Sequence, residues 1–355
     1  MQSRSIYPIR AVTLLAAGAL ALLPLTARTQ TPAPKFQVII LSAPPELNEL
    51  SLEGIGNGQA AGSASGPTGC HAILWSADTH RPIDLHVAGC IQTKIHGAHE
   101  KSQVGEANGD ATHGETHAVL WRGSARSAVD LNPEGVNFSV AMGCGGNQQV
   151  GFAHSGEPSE VAVLWSGTAQ SAVNLHPHNF RSSRALATDG RHQVGSGVAD
   201  VRVEHALLWS GTSESMVDLH PAGFDNSYAT GVSGKYQVGY GHIEAKGLRA
   251  LLWTGTARSV VNLHPAGYES SKANGVNGTT QVGWGTLNRK NHALLWRGSA
   301  ESVIDLQALL PEGYENTEAL AIDELGNVIG KGYNLTLHHW DAILWLNKSA
   351  TAPGS

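Results

Sequence analysis

The chain is short of cysteine, of charge and of long apolar runs, and each shortage removes a class of protein. Its three cysteines, Cys70, Cys90 and Cys144, cannot build a full disulfide framework. Cys70 and Cys90 flank one expected hairpin and form the candidate disulfide for an oxidising compartment. Cys144 falls where sister repeats carry an apolar residue, so it reads as a buried free thiol. Charged residues are 15% of the chain and the formal net charge is -6. With no Lys/Arg run, a nucleic-acid partner is not expected. No apolar stretch after residue 25 is long enough to span a membrane, so the mature chain is expected to lack a transmembrane segment. No segment shows sustained helical periodicity. There is no Gly-x-Ser-x-Gly, no His-Glu-x-x-His and no paired Cys-x-x-Cys. No cofactor and no metal is therefore expected. Gly54, Gly56 and Gly58 imitate a nucleotide loop but precede no helical pattern.

The chain opens with Arg4 and Arg10 and an apolar run from Ala11 to Leu25, with the small residue Ala27 beyond it. This pattern suits an export signal over residues 1–27, and residues 28–35 read as a Thr/Pro-rich linker. The expected location is secreted, periplasmic or at the cell surface.

After that, one pattern dominates. A motif of the type His-Ala-Leu-Leu-Trp ends at Trp75, Trp121, Trp165, Trp209, Trp253, Trp296 and Trp345, so the spacing is 43 to 49 residues. A fixed period of this length signals a repeat architecture. Each repeat holds four short strand-like runs separated by turn chemistry. In chain order they are A (Ser-x-Ala-x-Gly-Val), B (Gln-Val-Gly-x-Gly), C (the Trp motif) and D (Val-Val-Asp-Leu). Asn277-Gly278 is the clearest A–B turn. Four short antiparallel strands per 40–45 residues is the propeller-blade signature. The expectation is an all-β, seven-bladed β-propeller over residues 36–347 with a short tail at 348–355.

Strand A carries the smallest side chains, as in Ala229, Gly231, Ala273 and Gly275, and belongs where blades converge. Strand C is apolar on both faces because neighbours cover both of them. The last repeat has no strand D of its own, while Phe36–Ser42 stands alone at the other end. Gapless counting sets Pro44 in the place of Pro221 and Gln37–Leu41 in the place of a strand D. The N-terminal strand is therefore expected to complete the last blade and remove two exposed edges.

The Trp motifs, together with Ala319-x-x-Ile322-Asp323-x-x-Gly326-x-Val328-Ile329-Gly330, resemble the HAF family of extracellular repeats. The third motif position is Leu, Ile or Val here rather than Phe. The resemblance runs from about Leu47 to Trp345. It implies export and a repeat fold, and it implies no catalytic residue and no ligand.

His71, His117, His205 and His292 begin strand C, and Asp84, Asp130, Asp218 and Asp305 lie in strand D. Where Val161 and Arg249 replace the His, Asn174 and Asn262 replace the Asp. A repeated pair with such covariation reads as a structural contact rather than as a catalytic dyad. A second set, His86, His176, His220 and His264, reads as a cap on the D–A connector, since equivalent blades hold such residues too far apart for one metal ion.

The B–C loops vary most and lie at one end of the blades, where binding usually resides. They offer His113, Glu115, His154, His242, Glu244, Arg289, Lys290, His338, His339 and Trp340. The reading is an exported, non-catalytic binding or scaffold module, expected to be monomeric, whose ligand is a glycan, a surface polymer or a protein at the cell surface. The alternatives are an extracellular polysaccharide hydrolase or lyase, which would cluster acids and bases near the axis, and a structural surface-layer protein.

Overall fold

The computed structural model describes residues 35–349 apart from 155, 157–159 and 201–202. The expected export signal lies outside the described residues, as do the linker before Lys35 and the tail beyond Ser349. Among the described residues, no helix is long and apolar enough to cross a membrane.

The structure is all-β and built from antiparallel units in the order A-B-C-D. In one of them, strand A is Asn226–Ser233, B is Tyr236–Ile243, C is Gly247–Trp253 and D is Val261–Asn262. In five units a 3-10 turn, here Ala257–Ser259, carries the chain round from C to a two-residue strand D. Three units are joined into one twelve-stranded sheet by single parallel bridges, Cys70 to Gln92 and Phe138 to Thr116. In the last unit the outer place is taken by Phe36–Leu41, which pairs with His339–Asn347 from Phe36↔Asn347 to Leu41↔Ala342. That register sets Leu41 in the place of Leu219, whose amide meets the carbonyl of Ala206. Gapless counting from Pro44 is thus one residue out.

The core lies between units rather than inside them. Alternate residues of strand C point to opposite faces, so Ala118 and Leu120 meet Val163 and Trp165 of the following unit, while Val119 and Trp121 meet Ala72 and Leu74 of the preceding one. All seven motif tryptophans are buried to within 1%. Each removes about 150–250 Å² from water, which at ~25 cal/mol per Å² is about 4–6 kcal/mol. The first unit has the last as its neighbour: Ile73 and Trp75 pack with Ala342, Leu344 and Leu41.

A bulge recurs in every A strand, between Ala229 and Gly231, between Ala273 and Gly275, and at the matching places in the others. It explains the glycine of Gln-Val-Gly. A Cβ on Gly239 would lie 1.9 Å from the carbonyl oxygen of Tyr228, and one on Gly283 2.0 Å from that of Lys272. Only glycine permits this approach of backbone to backbone.

The cysteines are all free. The expected Cys70–Cys90 pairing is not made, because the two residues sit on different units and the bridge sets Cys70 opposite Gln92. Cys144 is buried with its thiol pushed up to about 12 by desolvation.

Strand Phe36–Leu41 offers a direct test of the last-unit pairing. Leu41 is 3% exposed and Ile40 43%. Leu41→Ala is expected to cost about 2–4 kcal/mol in denaturant unfolding, and Ile40→Ala less than ~1 kcal/mol. Equal effects would refute the register.

Candidate functional site

The repeated histidines and acids are consumed by the scaffold. His71 Nδ1 lies 2.8 Å from Asp84 Oδ2, His117 2.7 Å from Asp130, His205 2.7 Å from Asp218 and His292 2.8 Å from Asp305. The other carboxylate oxygen accepts the amide two residues on, as from His86 at 2.8 Å and His220 at 2.8 Å. Asn174 and Asn262 keep that second bond, to His176 and His264, at 2.7 and 2.9 Å. An amide oxygen suffices there because Val161 and Arg249 bring no imidazole to bind. In the last unit Asp341 takes the place of the His and Ile40 that of the Asp. Asp341 turns instead to the hydroxyl of Tyr314 and to Asn334 Nδ2 at 2.9 Å.

The second histidine set locks neighbouring units together. The Ser227 hydroxyl accepts the amide of Ala206 in the preceding unit at 3.0 Å and lies 2.9 Å from His220 Nδ1. Ser183, Ser271 and Thr93 do the same with Ala162, Ala250 and Ala72, and with His176, His264 and His86. Two of these imidazoles also stack, His71 on His86 at 4.0 Å and His205 on His220 at 4.1 Å. Where the histidine is absent, Asn132 accepts from Ser139 at 2.6 Å and Gln307 from Thr317 at 2.8 Å. These histidines are spread over different units, each with its own hydroxyl partner.

The chemistry that is not repeated collects elsewhere. The bulge residues of the A strands are Glu53, His96, Met142, Leu186, Thr230, Asn274 and Leu320, and all seven line one central cavity of about 240 Å³. Beside it, at the B–C end, lies a larger cleft of about 610 Å³ between the first and last units. One wall is Asn48 to Glu53, and the other holds Lys331, Tyr333 and His338 to Ala342. Glu53 and Leu320 border both spaces.

The cleft opens where the inter-unit lock is missing. The register of Glu49–Gly56 puts Leu50 in the place of Ser227. Leucine has no hydroxyl to accept the amide of Ala342, so the two walls are not tied there.

Glu53 is open to solvent yet recessed among protein atoms. Burial raises its carboxyl pKa, opposed by the charges of His96 and Lys331. For Glu106, burial works against ionisation, but His96 at 3.3 Å and Lys94 at 3.3 Å outweigh it and hold the carboxyl below its ordinary value. Lys331 lies 3.3 Å from Glu318 and 5.1 Å over the ring of Trp340. Trp340 is 46% exposed and meets Tyr333 edge-on at 5.7 Å.

Of the B–C loop residues, only His338, His339 and Trp340 enter this cleft. His339 Nε2 sits 3.0 Å from Asp341. His113 and Arg289 hold left-handed turn positions, at φ 56° and 63°. Glu115 is tied through its backbone to Thr112, and His154 ends a B strand opposite Phe138. His242 lies 3.5 Å from Asp225, whose carboxylate also accepts the amide of Glu244 at 2.6 Å, while Lys290 is paired with Glu315. These loops belong to separate units and do not converge. Glu49, Glu53, His96, Lys331 and Tyr333 escape a loop-based search because they lie on strands. The signal for Glu53 and His96 is a break in repetition: one inner-strand position varies in chemistry between repeats while the residue after it is always glycine or alanine.

The inter-unit histidines predict a pH response. Burial holds His86, His176, His220 and His264 below the ordinary imidazole value. Above about pH 6.5 the folded and unfolded chains both carry them neutral. Below it the unfolded chain takes up protons that the folded chain refuses, so stability falls as pH drops toward the folded values. His220→Asn, which copies the arrangement at Asn132, is expected to keep the fold and flatten this slope in chemical denaturation between pH 7 and 5. An unchanged slope would remove His220 from the response.

No family model matches the chain, and no curated relative matches it in sequence. Solved structures share its fold. The β-propeller domain of the Trilobed protease from Pyrococcus furiosus is 9% identical, with a TM-score of 0.56, and the match covers 84% of this chain and 95% of that one. An acylaminoacyl peptidase in complex with a chloromethyl ketone is 10% identical at a TM-score of 0.55, over 84% of this chain and 51% of that one. A puromycin hydrolase complex is 10% identical at 0.54, over 89% and 57%. The chain thus spans little more than half the length of these two enzymes. At such identities the likeness establishes the fold alone: the chain is β-propeller-like.

Proposed function

We propose that this chain is an exported, non-catalytic binding module, a seven-bladed propeller of the HAF-repeat type closed into a ring by its N-terminal strand, which takes its ligand at the B–C end. Closure is supported by four features: the pairing of Phe36–Leu41 with the last unit, the shared core of Trp75 and Leu344, the bond from the Gly58 amide to Asp323 at 2.8 Å, and a cavity bordered by every A strand. The Gly58 bond repeats one between ordinary neighbours, since the Gly234 amide meets Asp189 in the same way at 2.8 Å.

The observation that carries the binding reading is the cleft between first and last units, about 610 Å³. That size lies within the range of about 300–1,000 Å³ usual for ligand sites. It is the place where the scaffold's own lock is absent and aromatic and polar groups stand open. A polysaccharide-cleaving activity is the second reading. It is favoured by Glu53 and Glu106, whose carboxyls are pushed in opposite directions beside His96, as acid and base pairs are.

Immobilised protein is expected to retain a cell-surface polymer fraction. Lys331→Glu at the cleft should weaken retention at least about tenfold, and Arg191→Ala at the A–B end should leave it unchanged. The polymer should keep its length and release no reducing ends. Release of reducing ends that Glu53→Gln abolishes would replace the binding reading with the enzymatic one. Retention that depends on Arg191 alone would move the site to the other end.

A further inference from the structure

We infer that the cleft between the first and last units binds a neutral oligosaccharide, with one sugar ring stacked on Trp340 and its hydroxyl groups donating to the carboxylates of Glu49 and Glu53. This rests on reading the chain as a binding module and names the ligand class of that same site.

The cleft's polar groups narrow the choice. Asp341 is already occupied by Tyr314, Asn334 and His339. Among the described residues the side chains of Glu49 and Glu53 accept no hydrogen bond, so both offer open acceptor oxygens. A ligand that covers Glu49 and Glu53 displaces water from their carboxylates and must supply donors in its place. A purely apolar ligand fails on that ground.

An anionic ligand fails too. It would meet Glu49, Glu53 and Asp341, and the cleft's one ammonium, Lys331, is paired with Glu318 at 3.3 Å. A cation is poorly matched because the Lys331 ammonium, 5.1 Å from the Trp340 ring, would repel it, and the charges of His96 and Lys331 already act on Glu53. A neutral polyol carries no charge for these groups to repel, and Trp340, 46% exposed, leaves indole surface for it to cover beside Lys331. Its C–H face is apolar and flat enough to cover an exposed indole, and its rim carries many O–H donors. Carboxylates accept from hydroxyls strongly because the bond is charge-assisted. The cleft volume admits more than one sugar unit.

The test is isothermal titration of the full mature chain with maltotriose, cellotriose and N-acetylated chitotriose, set beside trigalacturonate and the deacetylated chitosan trimer. One or more neutral trisaccharides should bind. Trp340→Ala should abolish that binding, and Glu53→Gln, which keeps size and loses charge, should weaken it at least about tenfold. Both side chains are open to solvent, so the variants should melt like the parent. Preference for trigalacturonate or for the chitosan trimer overturns the ligand class but keeps a binding module. Saccharide binding that survives Trp340→Ala overturns the placement. Failure of every neutral trisaccharide, with the polymer fraction still retained, overturns this inference alone. Failure of both overturns the binding-module reading with it.

Discussion

A single unit of this fold cannot hold itself together, because strand C is apolar on both faces and each face is covered only by the next unit along. Trp121 needs Leu74 before it, and Leu120 needs Trp165 after it. The free energy therefore sits in contacts between units. Any unit without a neighbour would leave a tryptophan face in water, at a cost comparable with the net stability of a whole domain. This is why the two chain ends are drawn to one place, where Trp75 meets Leu344 and a strand from the N-terminus covers the Trp345 strand.

The same demand settles the roles of the polar residues. A sheet stacked against a sheet must satisfy the amides at its margins. Here hydroxyls reach across from the next A strand to do so, backed in four units by histidines whose pKa burial lowers. Asp and Asn at the end of strand D turn the chain toward that A strand and, where a histidine faces them, hold it as well. A histidine paired with an aspartate invites a catalytic interpretation in isolation. Repeated in unit after unit, with each oxygen already assigned, it is a fastening.

Repetition also shows where the scaffold was not obliged to be uniform. The bulge in each A strand places one side chain against the central cavity without disturbing the buried residue before it or the small residue after it. That position alone runs through acid, imidazole, thioether, amide, hydroxyl and alkyl groups. At the meeting of first and last units, Leu50 stands where a hydroxyl stands elsewhere, and the walls part around Trp340 and Glu53. The enzymes that share this fold at 9–10% identity carry no further argument about chemistry.

By itself the sequence determined the repeat, the four strands in each, the apolar strand between two neighbours, and the need for Phe36–Leu41 to serve the last unit. These follow from period, side-chain size and turn residues, which act locally and recur. Even the His–Asp contact was legible, because it covaries along one chain. The site was not. Glu53 and Trp340 are almost three hundred positions apart, and nothing local to either marks them as neighbours. Only the tertiary structure brought the first inner strand against the last hairpin, because the packing of Trp75 on Leu344 joins the ends. Only it set Cys70 opposite Gln92 rather than Cys90, because the parallel bridge between units fixes that register.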